Sequence, residues 1–298
     1  MRVFVTGASG FVGSAVVEEL LKNGHEVLGL VRSAQGAEKV AATGATALEG
    51  DVNDPEILRQ GATETDAVIH TAFNHDFTQY KAGCEADRKV IETFGDILAG
   101  TGKPLVITSA LGLLHYGRLT TEDDVLPAGS DVVPRAASEE AGQVATAKGA
   151  DVYVVRLPPS VHDAGDYGFV PMVVRAAREN GVSAYVGDGS NRWPAVKRQD
   201  AAALYRLIVE KRPELKTFHA VGEEGVPFKN IAEVIGEGLN LPVISKTGDE
   251  VAAHFGWFAH FAGLECSASS EKTRATLGWD PKGTDLLTDI AEAGYLAG

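Results

Sequence analysis

Three glycines near the amino terminus have the spacing that most clearly bears on chemistry. Thr6-Gly7-Ala8-Ser9-Gly10-Phe11-Val12-Gly13 follows a short apolar run, Val3 to Val5, and leads straight into an amphipathic stretch from Ser14 to Lys22. A strand passing into a helix through such a turn is what a dinucleotide pyrophosphate requires. Gly7 permits the sharp turn, Gly10 lets the backbone approach the phosphates, and Gly13 lets the helix lie close to the sheet. The helix N-terminus then presents unpaired N–H groups and a partial positive charge. An ordinary βα turn has little use for three glycines at this spacing. Thr6, Gly7, Ser9, Gly10, Phe11, Val12 and Gly13 are therefore expected at a bound dinucleotide. The next apolar run ends Leu30-Val31-Arg32-Ser33. No acid stands there to accept bonds from ribose hydroxyls. Arg32 instead offers a planar fork of donors suited to a 2′-phosphate, and Ser33 adds a hydroxyl. The expected cofactor is NADP (NADPH) rather than NAD, the alternative for Arg32 being a solvated surface side chain.

Other side chains suit a reacting centre, each with a plainer reading beside it. Ser109, at the end of an apolar run, can hydrogen-bond a substrate carbonyl or can cap a turn. Tyr116, His115 and His162 are expected in loops facing the same cleft, where a histidine can give up a proton near neutral pH, or is simply solvated. Arg135 can act as a fixed cation towards an anionic substrate or oxyanion, or can pair with Glu139 one turn on. In Asn191-Arg192-Trp193-Pro194, Arg192 reads as an anion clamp and Trp193 as a substrate wall, or as a surface arginine beside a packed tryptophan. The run His254 to Phe261 is unusually aromatic and is either core packing or a lid over the substrate. Its two histidines have no acid or cysteine in ligand spacing, so no metal site is expected. Asp200 reads as the N-cap of a helix.

The elements that must position these residues alternate. Apolar runs at 26–31, 46–48, 67–71, 105–108 and 152–156 read as strands, and 36–43, 55–60, 78–99 and 135–148 as helices. This pattern predicts an α/β fold, a Rossmann-type doubly wound parallel sheet, with ligands beyond the carboxyl ends of its strands. Beyond residue 165 the pattern changes to short strands, turns and helices, read as a small C-terminal α+β substrate lobe. The expected division is 1–165 plus about 197–224 for the NADP-binding domain, and about 166–196 plus 225–298 for the lobe. A chain of 298 residues can bury a core of this size.

The net charge of −14 argues against a nucleic-acid partner, which needs a basic face. No apolar run reaches the roughly 18 residues of a membrane span. With a strand expected from residue 2, no secretory leader is expected. Cys84 and Cys266 are the two cysteines, far apart and in no metal spacing, which fits a reducing cytoplasm. The partner expected is a small-molecule substrate.

Taken together, the chain resembles the extended short-chain dehydrogenase/reductase family of NAD(P)-dependent epimerases and dehydratases. The resemblance rests on Thr6-Gly7-x-x-Gly10-x-x-Gly13, Gly50-Asp51-Val52, His70-Thr71-Ala72, Thr108-Ser109-Ala110, Arg156-Leu157-Pro158-Pro159 and Leu277-Gly278-Trp279-x-Pro281. It implies that Asp51 and Val52 contact the adenine, although Asp51 reads equally as a turn former. It implies that Thr71, Ala72 and Phe73 line the cofactor cleft, that Ser109 is the catalytic serine, and that Pro158 and Val161 border the nicotinamide. One feature departs from the family. Its Tyr-x-x-x-Lys pair is missing: the aligned positions hold Arg135 and Glu139, and none of the seven tyrosines has a lysine four residues on. This places the chain among the atypical members. Losing a general acid/base removes roughly 10²–10⁴ in rate. The resemblance implies an oxidoreductase or epimerase-like protein acting on a small carbonyl or sugar-like substrate, or else a catalytically silent NADP-binding redox sensor. Family dimers pair the helices after the fourth and fifth strands; the second is short and alanine-rich here, which fits a monomer or weak homodimer.

Overall fold

The computed structural model describes residues 1–297. Its first half runs β1 (Arg2–Thr6), α1 (Phe11–Lys22), β2 (Glu26–Val31), α2 (Ala34–Ala42), β3 (Thr46–Glu49), α3 (Pro55–Thr63), β4 (Ala67–His70), α4 (Tyr80–Leu98), β5 (Pro104–Ala110), α5 (Ala137–Ala147) and β6 (Asp151–Leu157). The second half runs β7 (Ser160–His162), α6 (Phe169–Asn180), β8 (Ser183–Val186), β9 (Arg192–Lys197), α7 (Arg198–Lys211), β10 (Thr217–His219), β11 (Glu223–Pro227), α8 (Phe228–Leu239), β12 (Val243–Lys246), α9 (Asp249–Phe255), α10 (Ala259–Ala262), α11 (Glu271–Leu277) and α12 (Leu286–Glu292).

Seven strands form one parallel sheet in the order β3-β2-β1-β4-β5-β6-β10. Its central strands are covered on both faces, which is why they read as unbroken apolar runs: Val3, Phe4 and Val5 on β1 and Leu105, Val106 and Ile107 on β5 are fully buried. On one face, Val16, Val17 and Leu20 of α1 pack with Leu204, Tyr205 and Ile208 of α7. On the other, Phe4 and Leu28 meet Leu58 of α3 and Ile91 and Phe94 of α4. The strand order reverses between β1 and β4, so the crevice for a ligand opens beyond Thr6 and His70.

The lobe contains a three-stranded sheet, β11-β9-β7, and a parallel pair, β12-β8. Its core gathers Val173, Trp193, Phe228, Ile231, Ile235 and Phe258. Not every later residue joins this core. Leu277 and Trp279, at and just after the end of α11, pack into the first core instead, and the Trp279 indole N–H donates to the Asp200 carbonyl at 2.9 Å. Among the described residues no helix is long and apolar enough to cross a membrane.

Candidate active site

The glycine turn is built as its spacing requires. Gly7 has φ +70°, and a Cβ there would stand 2.9 Å from the Ala72 backbone. A Cβ on Gly13 would lie 2.1 Å from the Gly7 carbonyl oxygen and 2.8 Å from Thr71 Oγ1, which forbids any side chain. Thr71 Oγ1 donates to the Thr6 carbonyl at 2.8 Å, tying the ends of β1 and β4 together under the turn. Ser9 is exposed, and Val12 is half-buried against the first core. At the end of β2, Arg32 is exposed and has no ion-pair or hydrogen-bond partner among the described residues, while Ser33 caps α2 by accepting the Gly36 N–H at 3.2 Å. Asp51 accepts both the backbone N–H and the side-chain amide of Asn53 at 2.8 Å, so it does form a turn. Val52 is half-buried against the second face. Phe73 and Val161 are half-buried and Pro158 is buried beyond the ends of β4 and β6.

Arg135 and Glu139 do not pair with each other. Arg135, just before α5, is buried; its Nη1 donates to Asp87 Oδ2 at 2.9 Å and its Nη2 to the Thr108 carbonyl at 2.9 Å. Ser138 bonds to both Arg135 and Asp87. The Phe73 ring lies across the guanidinium at 4.2 Å. Asp87 Oδ1 is 2.9 Å from His70 Nε2, and His70 Nδ1 is 2.7 Å from Thr6 Oγ1. A buried polar chain thus runs from the glycine turn to the start of α5. Burial opposes ionisation of Asp87, but Arg135 and His70 outweigh it and hold the carboxyl below its usual range.

Glu139 is engaged elsewhere. Arg156 of β6 donates to it through Nε and Nη2, both at 2.8 Å, and Ser109 Oγ donates to Oε1 at 2.6 Å. Arg156 Nη1 donates to the Asp124 carbonyl and comes within 3.4 Å of His219 Nε2. Burial lowers the His219 pKa to about 4, with Arg156 adding to the effect and Glu122 opposing it. The i, i+4 pairing of Arg135 with Glu139 is therefore replaced by two separate buried ion pairs, Arg135–Asp87 and Glu139–Arg156.

Several expected site residues lie differently from the sequence reading. Ser109 is buried, with its hydroxyl turned to Glu139. His162 is in strand β7, not in a loop; it is fully buried and its Nδ1 is 2.7 Å from Asp289 of α12. Tyr116 is exposed and donates to the Val125 carbonyl at 2.7 Å. Trp193 is fully buried, packs edge-on to Phe228 at 4.9 Å and donates to the Phe261 carbonyl, so it is lobe core and not a substrate wall. Arg192 is exposed in a shallow depression beside Glu223 and Glu224, an environment that already supplies carboxylates. Asp200 lies inside α7, which Lys197 precedes as cap, and accepts the Gly283 N–H.

The aromatic run divides between the lobe core and the surface. Phe255 and Phe258 are buried in the lobe core. Trp257 is exposed and stacks on Phe77, in the loop after β4, at 4.9 Å, and Phe261 reaches the same ring at 6.1 Å. The lobe therefore touches the sheet domain through aromatic rings beside Phe73 and His75.

Two residues at the turn were missed. Tyr167 Oη accepts the Phe11 N–H at 3.1 Å, and Arg198 lies across the Phe11 ring at 4.7 Å with Nη2 donating to Ser14. Neither belongs to a local motif that could have flagged it.

Residues 7–158 match a family profile described as NAD(P)H-binding. The chain belongs to the NAD(P)H-binding short-chain dehydrogenase/reductase family. An uncharacterised protein of Schizosaccharomyces pombe is 45% identical over 296 residues, covering 99% of this chain and 100% of that protein. The 2-alkyl-3-oxoalkanoate reductase of Stenotrophomonas maltophilia is 32% identical over 263 residues, covering 83% of this chain and 78% of the enzyme. The fold is that of dTDP-glucose 4,6-dehydratase from Streptomyces venezuelae, solved with NAD bound, at a TM-score of 0.77 and 19% identity over 99% of this chain and 96% of that one. The chain's glycine turn, with no room for a side chain at Gly13, lies within the matched residues.

Proposed function

We propose that the chain is an NADPH-dependent oxidoreductase that reduces a small carbonyl compound. The observation that carries this reading is the glycine turn, whose Gly13 admits no Cβ, set beside an unpaired Arg32 at the end of the neighbouring strand. The residues fit the cofactor. The turn and the N-terminus of α1 hold the pyrophosphate, while Arg32 and the N-terminus of α2 hold a 2′-phosphate. Asp51 and Val52 lie towards the adenine, and Thr71, Ala72, Phe73, Pro158 and Val161 border the nicotinamide. When bound, NADPH supplies a hydride.

The aromatic surface of Phe77, Trp257 and Phe261 suits a carbonyl compound with an apolar body better than a sugar, whose hydroxyls need polar partners. The similar Stenotrophomonas protein bears the name of a reductase, which supports the same reaction class. Arg135 and Glu139 are locked in ion pairs, so the proton comes from solvent entering the cleft. Ser109 can hold the substrate oxygen only by turning from Glu139. Its test is Ser109→Ala: lost turnover with unchanged NADPH affinity assigns it that role, and unchanged turnover removes it. The reading as a whole is tested by following NADPH oxidation with a panel of aldehydes and ketones. It takes a cytoplasmic setting and a monomer or weak dimer.

A second reading is a catalytically silent redox sensor. The two buried ion pairs favour it, because they fill both catalytic positions with groups that transfer no proton. It expects no NADPH oxidation with any carbonyl, and different affinities for NADPH and NADP⁺.

A further inference from the structure

We infer that Tyr167 closes the pyrophosphate seat in the free protein and that the incoming cofactor displaces it, with Arg198 standing ready beside the seat; this rests on the NADP(H) reading above. The first N–H groups of a helix have no partner within the helix. In α1 the Phe11 N–H is one of them, and Tyr167 Oη takes it at 3.1 Å. The Tyr167 ring meets the Phe11 ring edge-on at 6.0 Å, and its hydroxyl would stand 3.7 Å from a Cβ on Gly10. The hydroxyl therefore occupies the place that the glycines leave open for phosphate.

The segment carrying Tyr167 is firm at its base and free at its tip. Tyr295 Oη accepts the Asp163 N–H at 3.1 Å and donates to Asp166 Oδ2 at 2.9 Å, and Asp166 Oδ1 accepts the Gly168 N–H at 2.6 Å. Gly165, at φ +80°, makes the turn between them. Tyr167 itself is 59% exposed, so little burial holds it down. Its displacement breaks one neutral hydrogen bond. A phosphate oxygen replaces that bond with a charge-assisted one, roughly twice as strong.

Arg198 supplies the cation. It lies across the Phe11 ring from the start of α7, its Nη2 donates to Ser14, and its buried Nε has no partner. Among the described residues no carboxylate pairs with it. An arginine in this state beside a helix N-terminus favours an anion there.

The test is calorimetric titration of the full chain with NADPH and with inorganic pyrophosphate, alongside association rates by stopped flow. Tyr167→Phe keeps the ring and removes the competing oxygen. It is expected to tighten both ligands about two- to tenfold, the range of one neutral hydrogen bond, and to speed association. Arg198→Met is expected to weaken both ligands about tenfold or more. Unchanged or weaker binding by Tyr167→Phe, with binding by the parent protein intact, overturns the displacement and leaves the cofactor reading standing. Unchanged binding by Arg198→Met overturns the role given to the arginine. If neither parent nor variants bind NADPH or NADH, the cofactor reading falls and this inference falls with it.

Discussion

Arg135→Tyr with Glu139→Lys, which places a tyrosine and a lysine one turn apart at the start of α5, is expected to destabilise the protein strongly rather than to activate it. Arg135→Tyr leaves the Asp87 carboxylate, whose side chain is 4% exposed, without its cation. Glu139→Lys leaves Arg156, 3% exposed, without its carboxylate and places a second cation against it. Breaking a buried pair by removing one partner costs about 3–5 kcal/mol. The two pairs share no partner, so the costs add to roughly 6–10 kcal/mol, against a total stability of about 5–15 kcal/mol. At about 2.1 cal/mol/K per residue, unfolding a chain of 298 residues carries an entropy that makes 1 kcal/mol worth about 1.6 °C. Each single variant should therefore melt about 5–8 °C lower, and the double variant about 10–16 °C lower. The assay is thermal and urea unfolding followed by circular dichroism at pH 7. Glu139→Gln with Arg156→Met, which removes both charges together, is expected to cost less than Glu139→Lys alone. A double variant that melts within 2 °C of the parent (about 1 kcal/mol on the same scale) and gains reductase turnover would refute this reasoning.

Two further outcomes follow from the same geometry. Arg32→Ala is expected to weaken NADPH about 10- to 150-fold while leaving NADH nearly unchanged, as read by competitive titration; an equal effect on both would remove the 2′-phosphate contact. Asp166 bears on pH. Burial raises its carboxyl to about 6, so the folded state holds a proton that the unfolded chain has already lost. Its contribution to stability is present below the usual carboxylate range and is lost as pH rises through about 6. Asp166→Asn is expected to remove that downward slope between about pH 4 and 6, and a difference curve between parent and variant that stays flat over this interval would contradict the assignment.

The sheet domain was legible because its signals are local. Fully buried parallel strands appear as apolar runs, and the turn from β1 to α1 shows its geometry in three glycines. The lobe was harder to read. Strands β7, β11 and β12 have three to five residues and pair with segments far away, so no periodicity develops. The site was least legible where its logic is tertiary. Asp87 lies 48 residues from Arg135, and nothing in the sequence around Arg135 distinguishes it as a partner from Glu139, four residues on. Tyr167 meets Phe11 across 156 residues. Trp193 was ambiguous because a tryptophan beside an arginine serves a core or a clamp equally well; the aromatic neighbours that decide for the core come from α6, α8 and the turn before α10.

The central claim is that the glycine turn and Arg32 together make an NADP(H) site. Calorimetric titration of the full chain with NADPH and, separately, with NADH tests it most directly. The account predicts micromolar binding of NADPH and binding of NADH at least about tenfold weaker, as one charge-assisted contact implies. Equal affinity for the two would contradict the role of Arg32, and no binding of either would contradict the site.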